Sequence, residues 1–474
     1  MTLPAKFVER VLRDLGGTEG AALCAALDAE PPVSVRLNPA KTGADTLPAG
    51  PDAGLPVPEA AGLPALAIAG RVPWSRDGRY LAVRPSFTLD PDFHAGAYYV
   101  QEASSQFVGH LLAAVRTEGA RILDLCAAPG GKTTLYASLA GPDGLVVANE
   151  IDRRRASVLA DNVRKWGTGN VAVTTCEPRA LGDFEAWFDV VAADAPCSGE
   201  GMFRKDPDAR GEWSEGNVKQ CAARQDEILR EVWRALKPGG TLVYSTCTFN
   251  RDEDEGALER MAAWAGDEIA ESEETAVEDA WGIVCGRVGA FRTFRFYPHR
   301  TCGEGFFAAV ARKSFDAGGR VRAPKARRTV FAAVDRKTAG ELARWVRNPG
   351  GMRFAAVADT CYAWYAAQAD AVRTLSEALP VIYSGVALGQ VFKGVLKPDP
   401  ALAFFDGLNR GALPAAELDD EETLRFLRRQ DIAAGGLAEG MNLVCSRGRA
   451  LGFAKRIGAR VNNLYHSSLR IIKQ

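Results

Sequence analysis

Two cysteines are preceded by the same kind of sequence. FDVVAADAPCSG arrives at Cys197 and GTLVYSTCTFN at Cys247, each after an apolar run of strand length, and a glycine-rich turn, RILDLCAAPGGKT, lies upstream of both. An ionised thiol attacks electrophilic carbon, so the trio points to covalent chemistry beside a bound cofactor. Parallel strands of an open α/β sheet bring their carboxyl ends to one edge, where ligands bind, so two thiols 50 residues apart in the chain can meet there. Asp194, three residues before Cys197, is placed to hydrogen-bond a base edge or a cofactor amine. A buried structural role is the alternative for either thiol: ten cysteines are scattered through the chain, and none forms a C-x-x-C pair. That spacing argues against zinc or a dithiol redox motif, and no metal site is expected.

The turn CAAPGGKTT ends like a P-loop, but the first glycine of that pattern is replaced by Cys126, so an ATPase reading fails at its first position. G-x-G-x-x-G is absent too, which leaves a nicotinamide site poorly supported. What remains is strand, tight turn and helix, with Glu150 at the end of the next strand, where a carboxylate can hold a ribose diol. Gly130 and Gly131 are expected to let the backbone approach the ligand without a Cβ in the way. With Asp124, Glu150, Glu177 and Asp194 nearby, a cationic nucleoside, S-adenosylmethionine, fits better than ATP. An ordinary helix-sheet junction is the plainer reading of the same turn.

Alternating elements must position these groups. Strands are expected at RILDLC, LVVANE, VAVTTC, FDVVAAD and GTLVYST, with helices KTTLYASLA, RRRASVLADNVRKWG and KQCAARQDEILREVWRALKPGG between them, the last stopped by Lys-Pro-Gly-Gly. This is the pattern of βαβ units and a mostly parallel sheet. Before it, residues 1–97 hold an amphipathic helix (Phe7, Val8, Val11, Leu12, Leu15, ending at Gly16) and the strand-like SVRLNPAKT, whose Arg36, Asn38 and Lys41 either donate to phosphate or decorate a turn. After it, residues 314–330 read as a linker rich in Gly, Pro and Arg, and residues 331–474 as a third region with a turn-rich β-like end.

At 474 residues, 47% hydrophobic and 25% charged, the chain has the composition of a soluble globular protein with several cores. The N-terminus is no signal peptide and no apolar run approaches the roughly 20 residues of a membrane span, so a cytoplasmic protein without membrane contact is expected. A net charge of -1 hides segregation. Asp252 to Asp279 is acid-rich and expected to face solvent or another protein, whereas Met441 to Gln474 carries Arg447, Arg449, Lys455, Arg456, Arg460, Arg470 and Lys473 with no carboxylate side chain. The basic end suggests polyanion contact; a solvated charged face is the alternative. Nothing in the sequence signals an oligomeric state.

The motifs LDLCAAPGGKT, ANEIDRRRASVLADN, DAPCSGEGMFRKDP and LVYSTCTFNRDEDE, in that order, resemble the NOP/Sun family of RNA 5-methylcytosine methyltransferases. HAGAYYVQEASSQ and YPHRTCGEGFFAAVARK extend the likeness, and GRALGFAKRIGARVNNLYHSSLR resembles the PUA-like end of the family's bacterial small-subunit rRNA branch. The resemblance implies a class I (Rossmann-like) methyltransferase with a mostly parallel seven-stranded sheet over 98–313, an N-terminal α+β RNA-binding domain and a C-terminal PUA-like RNA-binding domain. It implies S-adenosylmethionine held by Cys126, Ala127, Ala128, Pro129, Gly130, Gly131 and Lys132 together with Glu150, Glu177 and Asp194. By motif, Cys247 is the nucleophile that adds to carbon 6 of cytosine, Cys197 the helper in product release, and Asp194 the group that steadies ring nitrogen 3. Lys132, Arg204 and Lys205 are the candidate positive neighbours of the thiols. The implied partner is RNA, small-subunit rRNA or an assembled small subunit, with tRNA or a non-catalytic assembly role as alternatives. Glu177 stands where the family has Asp, and His466 where relatives carry proline.

Overall fold

A computed structural model describes residues 2–43 and 63–472. Two helices open the chain, α1 (Ala5–Leu15) and α2 (Gly17–Ala26), and between them Gly16 turns with φ 81°, which glycine adopts without strain. Of the apolar stripe expected on α1, Phe7 and Val11 are buried, and Leu12 is 37% exposed. Strands β1 (Val33–Leu37), β2 (Ile68–Arg71), β3 (Gly78–Leu81) and β4 (Tyr98–Tyr99) then form a small antiparallel sheet in the order β2-β3-β1-β4.

The central sheet is built from β5 (Arg121–Leu125), β6 (Leu145–Asn149), β7 (Val171–Thr174), β8 (Phe188–Asp194), β9 (Leu236–Thr246), β10 (Ile269–Ala270), β11 (Val284–Val288), β12 (Phe291–Phe296) and β13 (Phe306–Lys313). β5 to β9 are parallel neighbours in the order β7-β6-β5-β8-β9. The strand order reverses between β5 and β8, and the crevice at such a reversal is where open α/β sheets bind ligands. α3 (Gly131–Ala140), α4 (Arg153–Trp166), α5 (Glu215–Trp233) and α6 (Glu255–Ala265) cover its faces. Alternate residues of one strand serve opposite cores, because side chains alternate across a pleat. Ile122 thus packs with Leu135, Leu159 and Val163, while Leu123 packs with Ile228, Leu229 and Leu258. α4 is bounded as its sequence predicts: the Asp152 side chain accepts from Arg155 N at 2.8 Å, and Gly167 closes it with φ 90°.

Beyond the sheet lie β14 (Ala332–Ala333), β15 (Met352–Val357), β16 (Thr360–Tyr365), α7 (Ala369–Ala378), β17 (Val381–Ser384), β18 (Val386–Phe392) and β19 (Val395–Pro398). β14-β15-β16-β18-β19 make one sheet, and β20 (Ala415–Glu417), β21 (Gly440–Ser446), β22 (Arg449–Ile457) and β23 (Arg460–Asn463) make another. β17 leaves its neighbours to pair with β7, and α7 packs Val372 and Leu375 into the core under β5 and β8. The central sheet therefore has ten strands, three more than the seven expected, and it is mixed: β5 to β9 are parallel, while β13, β12, β11 and β17 pair antiparallel.

Three expectations are corrected. The long helix ends at Trp233, not at the glycines: Lys237-Pro238-Gly239-Gly240 enter β9 through a register shift opposite Phe188 and Val190. Arg36, Asn38 and Lys41 do not decorate a surface turn; they bind the N-terminal sheet to the central one. Asn38 Nδ2 donates to Gly96 O and Trp166 O, both at 2.9 Å, and Lys41 Nζ to Ala95 O and Lys165 O, both at 2.8 Å. The basic end is also partly spent inside the molecule. Arg447 and Arg449 reach Asp92, itself 1% exposed, at 3.0 and 2.8 Å, leaving Lys455, Arg460 and Arg470 exposed.

Candidate active site

Asp194 and Ser245 are register partners at the carboxyl ends of β8 and β9, and the two cysteines follow within three residues. The sulfurs of Cys197 and Cys247 stand 3.1 Å apart, and the Cys247 amide donates to the Cys197 sulfur at 3.3 Å. Both thiols are partly exposed. Asp194 is held by two groups: Ser245 Oγ donates to Oδ1 at 2.7 Å, and Lys132 Nζ lies 2.9 Å from Oδ2. The Lys132 ammonium also sits over the Phe306 ring, 5.3 Å from its centroid.

The glycine-rich turn lies across the strand-order reversal from these groups. Cys126 and Gly130 take positive φ, 58° and 110°. Its carbonyls are tied outward: Arg155 donates to Ala128 O at 2.9 Å, Asn162 to Pro129 O at 2.8 Å, and Arg36 to Gly131 O at 3.0 Å. The turn is thus shaped before any ligand arrives. A Cβ on Gly130 would meet Leu159 at 3.0 Å, tighter than ordinary contact, whereas one on Gly131 would meet Tyr99 at an ordinary 3.4 Å.

Two carboxylates beside the turn retain an oxygen without a hydrogen bond. Asp124 accepts from Thr133 Oγ1 through Oδ2 while Oδ1 is orphaned, and Glu150 keeps Oε2 unbonded with Arg155 Nη1 at 3.3 Å. These residues are 1% and 2% exposed. An orphaned buried oxygen is costly unless a ligand donor meets it, so this acid-lined crevice fits a cationic nucleoside with a ribose diol. Burial, partly opposed by the Thr133 hydroxyl, pushes Asp124 up to about 7. Glu177 stands exposed after β7, and its carbonyl, not its carboxylate, accepts from Ala180 N.

Of the three expected positive neighbours, Lys132 is at the site. Burial opposes its charge, but Asp194 outweighs burial and holds the amine above its ordinary value. Arg204 is committed elsewhere, to Glu304 at 3.1 Å with both side chains buried, and Lys205 is exposed. The hydrogen bond with Cys247 and burial drive the Cys197 thiol well above its usual range, so at neutral pH it is a neutral S–H. Cys126, pushed up to about 12 by burial and by Asp194 and Glu150, is no thiolate either.

Two acids that hold the cysteine loops escaped the sequence reading. Glu253, fully buried, accepts from Ser198 N at 2.9 Å, from Gln225 Nε2 at 2.9 Å and from Asn250 Nδ2 at 2.6 Å, tying the loop after Cys197 to the loop after Cys247. Glu200 accepts from Phe249 N at 3.0 Å and Trp213 Nε1 at 2.9 Å. Asp254 is buried as well and pairs with Arg295 at 3.0 Å, so Glu253 and Asp254 of the acid-rich segment face inward rather than toward solvent. A capping pattern, Asn250 ahead of Glu253, was the available signal. Near the C-terminus, His466 Nδ1 accepts from Ser468 and caps the last short turn. Among the described residues no cluster of ligands could hold a metal ion, and no helix is long and apolar enough to cross a membrane.

Five parallel strands within a mixed sheet, reversed in order between β5 and β8, with an acid-lined turn at the reversal, define a class I methyltransferase fold. Residues 111–312 match the family model of 16S rRNA methyltransferase RsmB/F, residues 3–103 that of the N-terminal domain of 16S rRNA methyltransferase RsmF, and residues 414–471 that of the RsmF PUA domain. The ribosomal RNA small subunit methyltransferase F of Shewanella loihica is 32% identical over 83% of this chain and 82% of its own length. That of Erwinia tasmaniensis is 31% identical over 84% of each. A solved methyltransferase homolog from Pyrococcus horikoshii superposes with a TM-score of 0.53 at 27% identity, covering 65% of this chain and 94% of that one. The chain belongs to the ribosomal RNA small subunit methyltransferase F (RsmF) family.

Proposed function

We propose that this protein transfers a methyl group from S-adenosylmethionine to carbon 5 of a cytosine in small-subunit ribosomal RNA, acting in the cytoplasm. The observation that carries the reading is the pair of sulfurs 3.1 Å apart at the strand-order reversal, beside a crevice lined by buried Glu150 and by buried Asp124, whose Oδ1 has no hydrogen bond. The segment Cys126 to Lys132 and Glu150 hold the cofactor, with Glu150 on the ribose, and bound there it supplies an electrophilic methyl on sulfonium.

The target base leaves its stack, because attack comes from above the ring plane. Cys247 adds as thiolate to carbon 6, which turns carbon 5 into an enamine nucleophile strong enough to accept the methyl group. Ring nitrogen 3 takes up the proton released by the Cys247 thiol as the addition proceeds, and Asp194, fixed by Ser245 and Lys132, accepts the hydrogen bond of the N–H so formed. A base takes the carbon 5 proton, the electron pair of that carbon–hydrogen bond restores the ring double bond, and the carbon–sulfur pair leaves with the Cys247 sulfur. Cys197, a neutral thiol 3.1 Å away, hands its proton to the departing sulfur. Residues 1–97 and 331–474 hold the RNA around the catalytic block 98–313.

The test is transfer of tritiated methyl from S-adenosylmethionine to small-subunit rRNA, mapped by bisulfite sequencing. Label at a protected cytosine supports the proposal; label on another atom or base, or none, overturns it.

A further inference from the structure

A cavity of about 380 Å³ opens where three parts of the chain meet, away from the thiols. Lys41 comes from the N-terminal region, Arg347 and Arg410 from the third region, and Arg449 from the C-terminal sheet; Asp406 is the one carboxylate among the lining side chains. The cations are held in place by the protein. Lys41 Nζ donates to Ala95 O and Lys165 O, Arg410 to Gly448 O at 2.9 Å, Arg347 to Asp406 O, and Arg449 to Asp92 at 2.8 Å. Arg347 and Arg410 are exposed at the rim, and a guanidinium with one Nη on a carbonyl keeps further N–H donors to offer.

Lys41, Arg347, Arg410 and Arg449 face one hollow in which Asp406 is the one lining carboxylate, and an anion that joins them relieves their mutual repulsion. Burial draws the Lys41 amine down to about 7; Asp406 opposes this, and Lys165, Arg410 and Arg449 add to it. The position matters too. Lys41 touches the carbonyl of Lys165 in the last turn of α4, whose first turn stands at the catalytic edge; a helix of 14 residues spans ~20 Å. A ligand here contributes grip, not chemistry.

We infer that this junction is an anchoring site for a backbone phosphate of the RNA substrate, gripping the strand on a flank remote from the target base. The inference rests on RNA being the substrate. Since the lining comes from three regions, one phosphate also fixes their mutual placement.

The test uses the full chain and a labelled small-subunit rRNA fragment, with binding followed by anisotropy across a salt series. Arg347→Gln with Arg410→Gln raises Kd about tenfold near 0.1 M salt and makes the salt slope shallower by roughly one unit per lost contact. KM for RNA rises in step, and S-adenosylmethionine affinity stays level, which reports an intact fold. If the double variant loses cofactor binding, Arg410→Gln alone at the exposed rim carries the measurement. A variant that binds cofactor normally and RNA with unchanged Kd and slope overturns the inference. So does a hollow used by free phosphate, recognised when inorganic phosphate raises Tm of the parent but not of the variant while their RNA affinities agree. Weakened RNA binding by the variant of a parent that methylates no RNA would instead sink the proposed function and leave the anchor standing.

Discussion

Ser198 gives both its amide and its hydroxyl to the carboxylate of Glu253, at 2.9 and 2.5 Å. The residue following one cysteine is thereby bound to an acid on the loop that follows the other. Glu253→Gln keeps the shape but presents an amide where an oxygen accepts from Ser198 N. The loops separate slightly, and misplacement on the order of 1 Å costs about a hundredfold in a positioned reaction. The expected outcome is a fall in kcat of about ten- to hundredfold with unchanged S-adenosylmethionine affinity. Single-turnover rates and equilibrium cofactor titration check it, and an equal loss in both would mean collapse of the sheet edge instead.

The neutral state of Cys197 separates the roles of the two thiols. Cys247→Ala removes the attacking sulfur and abolishes transfer while the cofactor still binds. Cys197→Ala leaves the attack intact but takes away the proton that frees the product, so RNA accumulates on the enzyme. A slow-migrating protein–RNA species on a denaturing gel, present with Cys197→Ala and absent from the double variant, is the expected result. Full turnover by Cys247→Ala would refute the assignment of the nucleophile.

Much of this site is legible in sequence because strand period and strand order are local. FDVVAAD and GTLVYST announce two strands whose ends must share an edge, and that alone brings Cys197 and Cys247 together. Asp254 is not legible, and Glu253 only as the capping partner of Asn250, since a run of acids reads as a solvated face until the partners that bury it, Ser198 and Arg295, arrive from distant segments. Arg36 misleads in the same way: a cation suggests phosphate, but here its guanidinium is satisfied by Gln101, Thr134 and the Gly131 carbonyl. Pairing of β17 with β7 joins residues some 210 apart (381 minus 174 is 207), which no local pattern encodes. The helix expected to run to Lys237-Pro238-Gly239-Gly240 ends at Trp233 instead, and only the register against Phe188 shows that a strand starts at Leu236.

Asp124 makes stability depend on pH. Burial holds it at about 7 in the folded chain against an ordinary value of 3.8. Between those values the folded protein keeps a proton that the unfolded chain has released, so this contribution is fully present below about pH 4 and is lost as pH rises through 7. Asp124→Asn carries no charge at any pH and flattens that slope. Without cofactor, the variant gains on the parent by up to roughly 2–4 kcal/mol on going from pH 5 to pH 8, as pKa differences convert at about 1.4 kcal/mol per unit. Urea unfolding at the two pH values measures it; parallel pH dependence in both proteins would show that Asp124 is ionised in the fold.

Arg36 joins the cofactor turn to the N-terminal sheet. Its guanidinium donates to Gln101 Oε1 at 2.7 Å, Thr134 Oγ1 at 2.6 Å and Gly131 O at 3.0 Å, and lies 4.5 Å from the Trp166 ring centroid. Truncation leaves several acceptors unmet in a buried place, each costing about 1–3 kcal/mol. Arg36→Ala is therefore expected to lose roughly 3 kcal/mol of stability and to weaken cofactor binding, because Gly131 O is no longer held outward. Arg36→Lys restores the charge without the planar fork that reaches three acceptors at once, so it recovers only part of either loss. Denaturant midpoints and cofactor titration on both variants decide it. Cofactor affinity that stays at the parent's value in Arg36→Ala would mean the turn keeps its shape through Arg155 and Asn162 alone.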